Sequence, residues 1–442
     1  MLNKSLNFKT VLRRITSTQL RINMLSGVVT AVINTVALFV AVRIYLHFLG
    51  WETYGVWAIL ATVLTFVQLG DIGISQSVIK LVAEGYGRRD IEDVQRYVTT
   101  ALTMLCTSGI VLLAIVLILR NTIVAAFKLN YEDAKLVSSL LPYISILSVY
   151  VLIVQSFNSI LSGIGRMDIV NYIQSIGRVL SVIAATILLC SGLGVASLII
   201  ANAVSYLFIH IASFICIRRI VKIHFLRMRN LDMQRAKRIL SFGGTVFSGS
   251  ILSMFLGPFN KMMLSRYAGV STVGVYELAF TASMAVRGLI ETGLRPLMPA
   301  VSGLSAGMTD GIKNKISQIN IRLLKLICIF GGSLYCVLAV FAPFLLKLLL
   351  RDRFTEALPG AFRIMLFASF LTLLGVPAYY IIMGLGKLRV FITATVISTI
   401  GNFVLVIAYY CLMGHISVYS VGICMVICFA ASTAYLIYEV RH

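Results

Sequence analysis

MLSGVVTAVINTVALFVAVRIYLHF (Met24–Phe48) and YGVWAILATVLTFVQLGDIGISQSVI (Tyr54–Ile79) follow one another near the start of the chain, separated by residues 49–53. Each is longer than the roughly 20 apolar residues that cross a bilayer as a helix. Such runs recur to the end of the 442-residue chain, near 97–119, 136–161, 169–190, 195–217, 241–264, 272–298, 322–347, 358–383, 389–413 and 417–438. The sequence therefore predicts an all-α polytopic membrane protein with about twelve transmembrane helices. Composition agrees: 59% of residues are hydrophobic and 12% charged, against roughly 45–50% and 25% in soluble domains. A secreted domain, a cytosolic enzyme and a single-span receptor are excluded.

The formal charge of +22 would point to nucleic acid in a soluble protein. Here it is explained by the tendency of Lys and Arg to collect in cytoplasmic loops, and no nucleic-acid partner is expected. Alternate loops carry 25 and seven basic residues, and six more lie within spans. The richer side should be cytoplasmic, with both termini inside. Residues 6–21 alternate apolar Phe8, Leu12 and Ile15 with Lys9, Arg13 and Arg14, as an amphipathic helix on the membrane surface does. The eight cysteines lie in or beside apolar runs without CxxC spacing, so they read as small buried hydrophobes and no metal is expected.

The chain repeats itself. Gly50, Gly55-Val56-Trp57 between spans one and two return as Gly269, Gly274-Val275-Tyr276 between spans seven and eight. Asp71-Ile72-Gly73-Ile74 returns as Glu291-Thr292-Gly293-Leu294, and Gly163-Ile164-Gly165-Arg166 as Gly384-Leu385-Gly386-Lys387. Cys190 and Cys411 close spans five and eleven, and the offset drifts only from 219 to 221 residues. The expected domains are a six-helix half with its basic N-terminus (1–217), a basic linker (218–240) and a second six-helix half (241–442). An even number of spans inserts both halves the same way up. Their pseudo-two-fold axis should run along the membrane normal, with a cavity between them.

No GxxxxGK[ST] loop and no HExxH occur, and the outer loops are short. The chain therefore reads as a transporter rather than an enzyme. The informative residues are the ionisable ones inside spans, because each costs roughly 2.5–3.5 kcal/mol at mid-helix on insertion scales. Arg178 lies near the midplane of span five, as a cavity-facing cation or as half of a buried pair. Arg287, Glu291 and Arg295 recur at i, i+4 and i+8 on one face of span eight, as an ion-pair ladder or a cavity stripe. Arg43 and Lys261 lie near the outer ends of spans one and seven, where they either snorkel or face the cavity; Arg363 snorkels. Asp71 and Glu291 are the candidates for ion coupling, with a loop salt bridge as the alternative for Asp71. Gly257-Pro258 should kink span seven as a hinge. Six intraspan bases against three acids (Asp71, Glu277, Glu291) favour an anionic substrate.

YGVWAILATVLTFVQLGDIGISQSVIKLV (54–82) resembles the second-helix signature of Wzx-type polysaccharide biosynthesis proteins, flippases of O-antigen and other lipid-linked repeat units. The resemblance continues through GIGRMDIVNYIQSIGRVL (163–180), RYAGVSTVGVYELAFTASM (266–284) and RPLMPAVSGL (295–304). It implies transfer of an undecaprenyl-diphosphate-linked oligosaccharide across the bacterial inner membrane for lipopolysaccharide or related polysaccharide biosynthesis. It also implies alternating access, membership of the superfamily of multidrug and oligosaccharidyl-lipid exporters, and a polysaccharide polymerase and chain-length regulator as partners. Where the family often carries Asp-Arg pairings at the end of span seven, this chain has Asn260-Lys261, which keeps the base and replaces the acid by an amide. The substrate-binding set expected on this reading is Arg178, Arg287, Arg295, Arg43, Lys261 and Asn260. No cofactor is expected; coupling is to the membrane potential, H+ or Na+. An ion-coupled exporter of small amphiphiles and a non-transporting membrane scaffold are the alternatives.

Overall fold

The computed structural model describes residues 18–221, 232–294, 297, 301 and 310–441. The expected surface helix at 6–21 therefore lies almost wholly outside the described residues, as does Arg295. The described residues are almost entirely helical and contain no strand. Ten segments are long and apolar enough to cross a membrane. The first, Leu25–Asp71, has 47 residues, about 70 Å at 1.5 Å per residue and over twice the hydrocarbon thickness. It bends at Gly50 (φ 73°, ψ 178°), so it makes two passes. A further pass is built from Met233–Ser250, the short turn Leu252–Phe255 and Leu256–Ala268. Twelve passes result among the described residues.

Span two runs from the Gly50 bend through a 3-10 turn, Gln68–Asp71, into Ile74–Gly87. Spans three to six are Ile91–Ile118, Tyr131–Gly163, Met167–Cys190 and Ala196–Val221. Span seven, expected at 241–264, starts earlier and is discontinuous; its first helix consumes part of the expected linker. Span eight is Val270–Leu294. Span nine runs from Asp310–Leu326 through a π-turn, Ile327–Gly331, to Gly332–Leu350. Spans ten to twelve are Ala357–Gly384, Leu388–Met413 and Val418–Arg441.

The repeated glycines explain how the halves meet. Gly269 (φ 92°, ψ 159°) bends the chain between spans seven and eight much as Gly50 does between spans one and two, a conformation that a Cβ disfavours. Beyond each bend, backbone meets backbone. A Cβ on Gly55 would lie 2.1 Å from the carbonyl oxygen of Val270, and a Cβ on Gly274 would lie 2.9 Å from that of Trp51. Residues 51 and 270 are equivalent in the repeat, so the contact is reciprocal. Spans two and eight cross there without room for side chains.

On the opposite face, which carries both described termini, Gly73 and Gly243 sit back to back: a Cβ on Gly73 would lie 2.2 Å from the Gly243 oxygen. Gly73 (φ 72°) is the break in span two. Ser77 Oγ donates to the Ile239 carbonyl (2.9 Å). Arg235 pairs with Asp93 (2.9 Å) and Arg238 with Glu84 (3.1 Å), fastening the start of span seven onto the end of span two and the first turn of span three. Exposed apolar residues such as Tyr172, Ile176, Val179, Ile183 and Ile187 form helical stripes, the surface a bilayer covers.

Candidate functional site

In the N-terminal half a polar ladder binds span one to span five. Asn171 Nδ2 donates to Ser26 Oγ (2.9 Å) and Ser175 Oγ to Thr30 Oγ1 (2.9 Å). Asn23 Oδ1 accepts from the Asp168 amide (3.1 Å), and Arg166 grips Asp168 with two parallel bonds of 3.0 Å. Ser26, Thr30 and Asn34 are spaced by one turn, as are Asn171, Ser175 and Arg178. The next rung is therefore Asn34 with Arg178, and there the helices part around a cavity of about 230 Å³.

Asn34, Gln155, Asn158, Gln174, Arg178, Ser181, Asn202, Ser205 and Tyr206 line this cavity, with Val154 and Ile209. The polar residues follow helical spacing: 155 and 158 on span four, 174, 178 and 181 on span five, 202, 205 and 206 on span six. Ser205 Oγ donates to the Gly177 carbonyl (2.7 Å), and a Cβ on Gly177 would lie 2.8 Å from Ile209, so spans five and six are held close just beside Arg178. Arg178 lies eleven residues into span five, about 16 Å along a helix of 24 residues and near its middle. Among the described residues no carboxylate lines the cavity, and Arg178 makes no ion pair or hydrogen bond with any of them. The amide and hydroxyl residues around it were not singled out from the sequence; their spacing on three consecutive spans is the signal that marks them.

The other candidate residues do not join it. Arg287 pairs with Glu291 (3.1 Å), whose carboxylate also accepts from Tyr380 OH (3.2 Å). One turn of the proposed ladder on span eight thus exists, in the C-terminal half, and the Arg287 Nε remains buried without a partner. Lys261 is 8% exposed and engaged on two sides: it pairs with Glu277 (2.8 Å) and donates to the Ala58 carbonyl (3.1 Å). Glu277 on span eight supplies the acid that position 260 lacks; from the sequence it was only one of three intraspan acids, without a role of its own. Asn260 is fully buried and donates to Tyr276 OH (3.3 Å).

Arg43 is exposed and lies nine residues from Asn34, on the opposite face of its helix, in line with the exposed stripe Val32, Val36 and Val40. Asp71 forms no salt bridge among the described residues; its carboxylate accepts from the Ser75 amide (2.8 Å) in the first turn of the second part of span two. Arg363 reaches the Ala339 carbonyl (2.8 Å) at the exposed end of span ten. The break in span seven falls at 251–255, just before Gly257-Pro258; Pro258 stands in the first turn of the helix that follows, where its missing N–H is tolerated.

This is a multi-pass, all-helical membrane fold with a cationic cavity in its N-terminal half that no described carboxylate lines. The model of the polysaccharide biosynthesis protein family matches residues 20–305, more than half of the chain, and the chain belongs to that family. The resemblance read from residues 54–82 thus holds at the level of family and fold. Among solved structures, an inward-facing multidrug resistance MATE family transporter of the MOP superfamily superposes with a TM-score of 0.77 at 16% identity, covering 93% of this chain and 97% of the other. An outward-facing MATE transporter gives 0.67 at 16% identity, covering 96% and 98%. The lipid II flippase MurJ, in an inward closed conformation, gives 0.74 at 13% identity, covering 95% and 87%. No curated protein matches the sequence significantly.

Proposed function

We propose that the protein is a flippase that moves an undecaprenyl-diphosphate-linked oligosaccharide, an O-antigen or related repeat unit, between leaflets of the bacterial inner membrane. The observation that carries this reading is Arg178, a cation at mid-span in a polar cavity that holds no acid. A half-buried guanidinium at mid-span without a protein partner is costly, and a phosphate that accepts two of its hydrogen bonds at once offsets that cost. The family supports a polysaccharide precursor as cargo, and the MurJ-like fold supports a lipid-linked one.

The diphosphate binds at Arg178, the sugar next to it in the polar cavity with the rest of the glycan beyond, and the polyprenyl tail stays in lipid. The termini-bearing face, with its basic loops, is cytoplasmic. Alternating access exchanges two sets of contacts: the Gly55–Gly274 crossing with the Lys261–Glu277 pair on one face, and the Gly73–Gly243 contact with the Arg235–Asp93 pair on the other. The breaks at 68–73 and 251–255 are the hinges. Arg287, Arg295 and Asn260 belong to the C-terminal half of the pathway; Lys261 acts at its outer end, Arg43 lies outside it on the lipid-facing stripe, and Asp71 and Glu291 are the carboxylates open to coupling. No chemical step is catalysed by the chain. The polymerase and chain-length regulator of the same polysaccharide are its partners.

Removal of the gene tests this. A lipid-linked glycan should accumulate on the inner leaflet, and purified protein in proteoliposomes should move that lipid's head group between leaflets. Proteoliposomes that leave the head group in place while the gene is required for export would support the scaffold reading instead.

A further inference from the structure

The cavity beside Arg178 has more hydrogen-bonding capacity than a phosphate uses. We propose that it is a subsite for a single sugar ring, the one attached to the diphosphate, and that Asn34, Gln155 and Gln174 read that sugar's hydroxyl or acetamido groups. The inference rests on the flippase reading and adds to it where in the chain the head group is distinguished.

Two groups of polar residues line the cavity. Asn202 and Ser205 are committed to the protein: Asn202 Nδ2 donates to the Leu198 carbonyl (2.7 Å) and Ser205 Oγ to that of Gly177 (2.7 Å). The side-chain amides of Asn34, Gln155 and Gln174 have no hydrogen-bond partner among the described residues, although all three line the same cavity. Asn34 and Gln155 are half-buried and Gln174 is exposed, so these three amides on one cavity are open to a ligand or to water.

Their chemistry selects the ligand. A carboxamide both donates and accepts, and so does a sugar hydroxyl or acetamido group. Arg178 only donates, which suits phosphate oxygens. A phosphate alone accepts and does not donate, so it leaves the amide oxygens unmatched. Size sets the number of rings: about 230 Å³ is below the roughly 300–1,000 Å³ of a pocket for drug-sized molecules. One ring fits and a whole repeat unit does not. The remaining sugars must lie outside this cavity.

Three probes test the subsite with purified full-length protein: a bare polyprenyl diphosphate, the same lipid carrying one hexose, and the same lipid carrying one N-acetylhexosamine. One of the two glycosylated lipids should bind at least tenfold more tightly than the bare one. In the Gln155→Leu and Gln174→Leu variants, and in the milder Asn34→Ser, that advantage should shrink to twofold or less while the bare lipid binds as before. Equal binding of all three lipids to the unaltered protein overturns the subsite and leaves the flippase reading standing. Binding of none of them overturns the flippase reading itself. A retained sugar advantage in all three variants places sugar recognition elsewhere and overturns the assignment to this cavity.

Discussion

Lys261 and Glu277 lie 2.8 Å apart on either side of the Gly269 bend, and the same ammonium donates to the carbonyl of Ala58 in the other half. One side chain therefore ties spans seven and eight to each other and to span two. Its withdrawal from solvent makes either charge expensive to leave alone. Glu277→Gln should lower the stability of the detergent-purified protein by an amount approaching the roughly 3–5 kcal/mol of a broken buried pair. Lys261→Met combined with Glu277→Gln should recover part of it. Thermal melting of both variants measures this, and additive losses would show that the pair is not coupled.

Gly55 should tolerate no side chain. A methyl group there must displace the Val270 carbonyl, whereas at Gly274 the clash with Trp51 is milder. Gly55→Ala is expected to cost more than Gly274→Ala, both in or above the roughly 1–3 kcal/mol typical of overpacking. Membrane abundance of the two variants ranks them.

Arg178 gives opposite expectations for stability and for transport. No protein carboxylate depends on it, so Arg178→Ala should leave abundance unchanged while glycan export is lost. Arg178→Lys keeps the charge and loses the planar fork, so export should fall without reaching zero. Abundant Arg178→Ala protein with normal export would remove this residue from the site.

Orientation follows from the loop charges. In a cysteine-free background, Tyr131→Cys, on the exposed residue that opens span four, should react with an impermeant reagent added to sealed cells. Lys387→Cys, on the basic face, should not. Labelling of the second and not the first would invert the topology.

The driving force should be electrical. One charge crossing 100 mV gains about 2.3 kcal/mol, so a dianionic head group leaving a negative interior gains roughly 4–5 kcal/mol if the carrier's own charges stay in place. Collapsing the membrane potential should slow transport more than collapsing the pH gradient. Sensitivity to pH alone, abolished in Glu291→Gln, would point to proton antiport.

Much of the architecture was legible because membrane insertion is a one-dimensional filter. Backbone groups in hydrocarbon must be satisfied within their own helix, so length and apolarity alone fix the passes, and the spaced glycines at 50, 55, 269 and 274 disclose the repeat. Arg178 could be placed at mid-span for the same reason, because depth is counted along one helix. Which partner meets an intraspan charge was not legible, since partners come from other helices. The sequence left Lys261 between snorkelling and cavity, and only packing shows it held by Glu277 and Ala58; that the Asp71 carboxylate accepts from the Ser75 amide across the Gly73 break is also visible only in the folded chain. The cavity is likewise tertiary: Asn34, Gln155, Gln174 and Asn202 come from four spans, and only the packing of those helices decides that their amides surround one guanidinium.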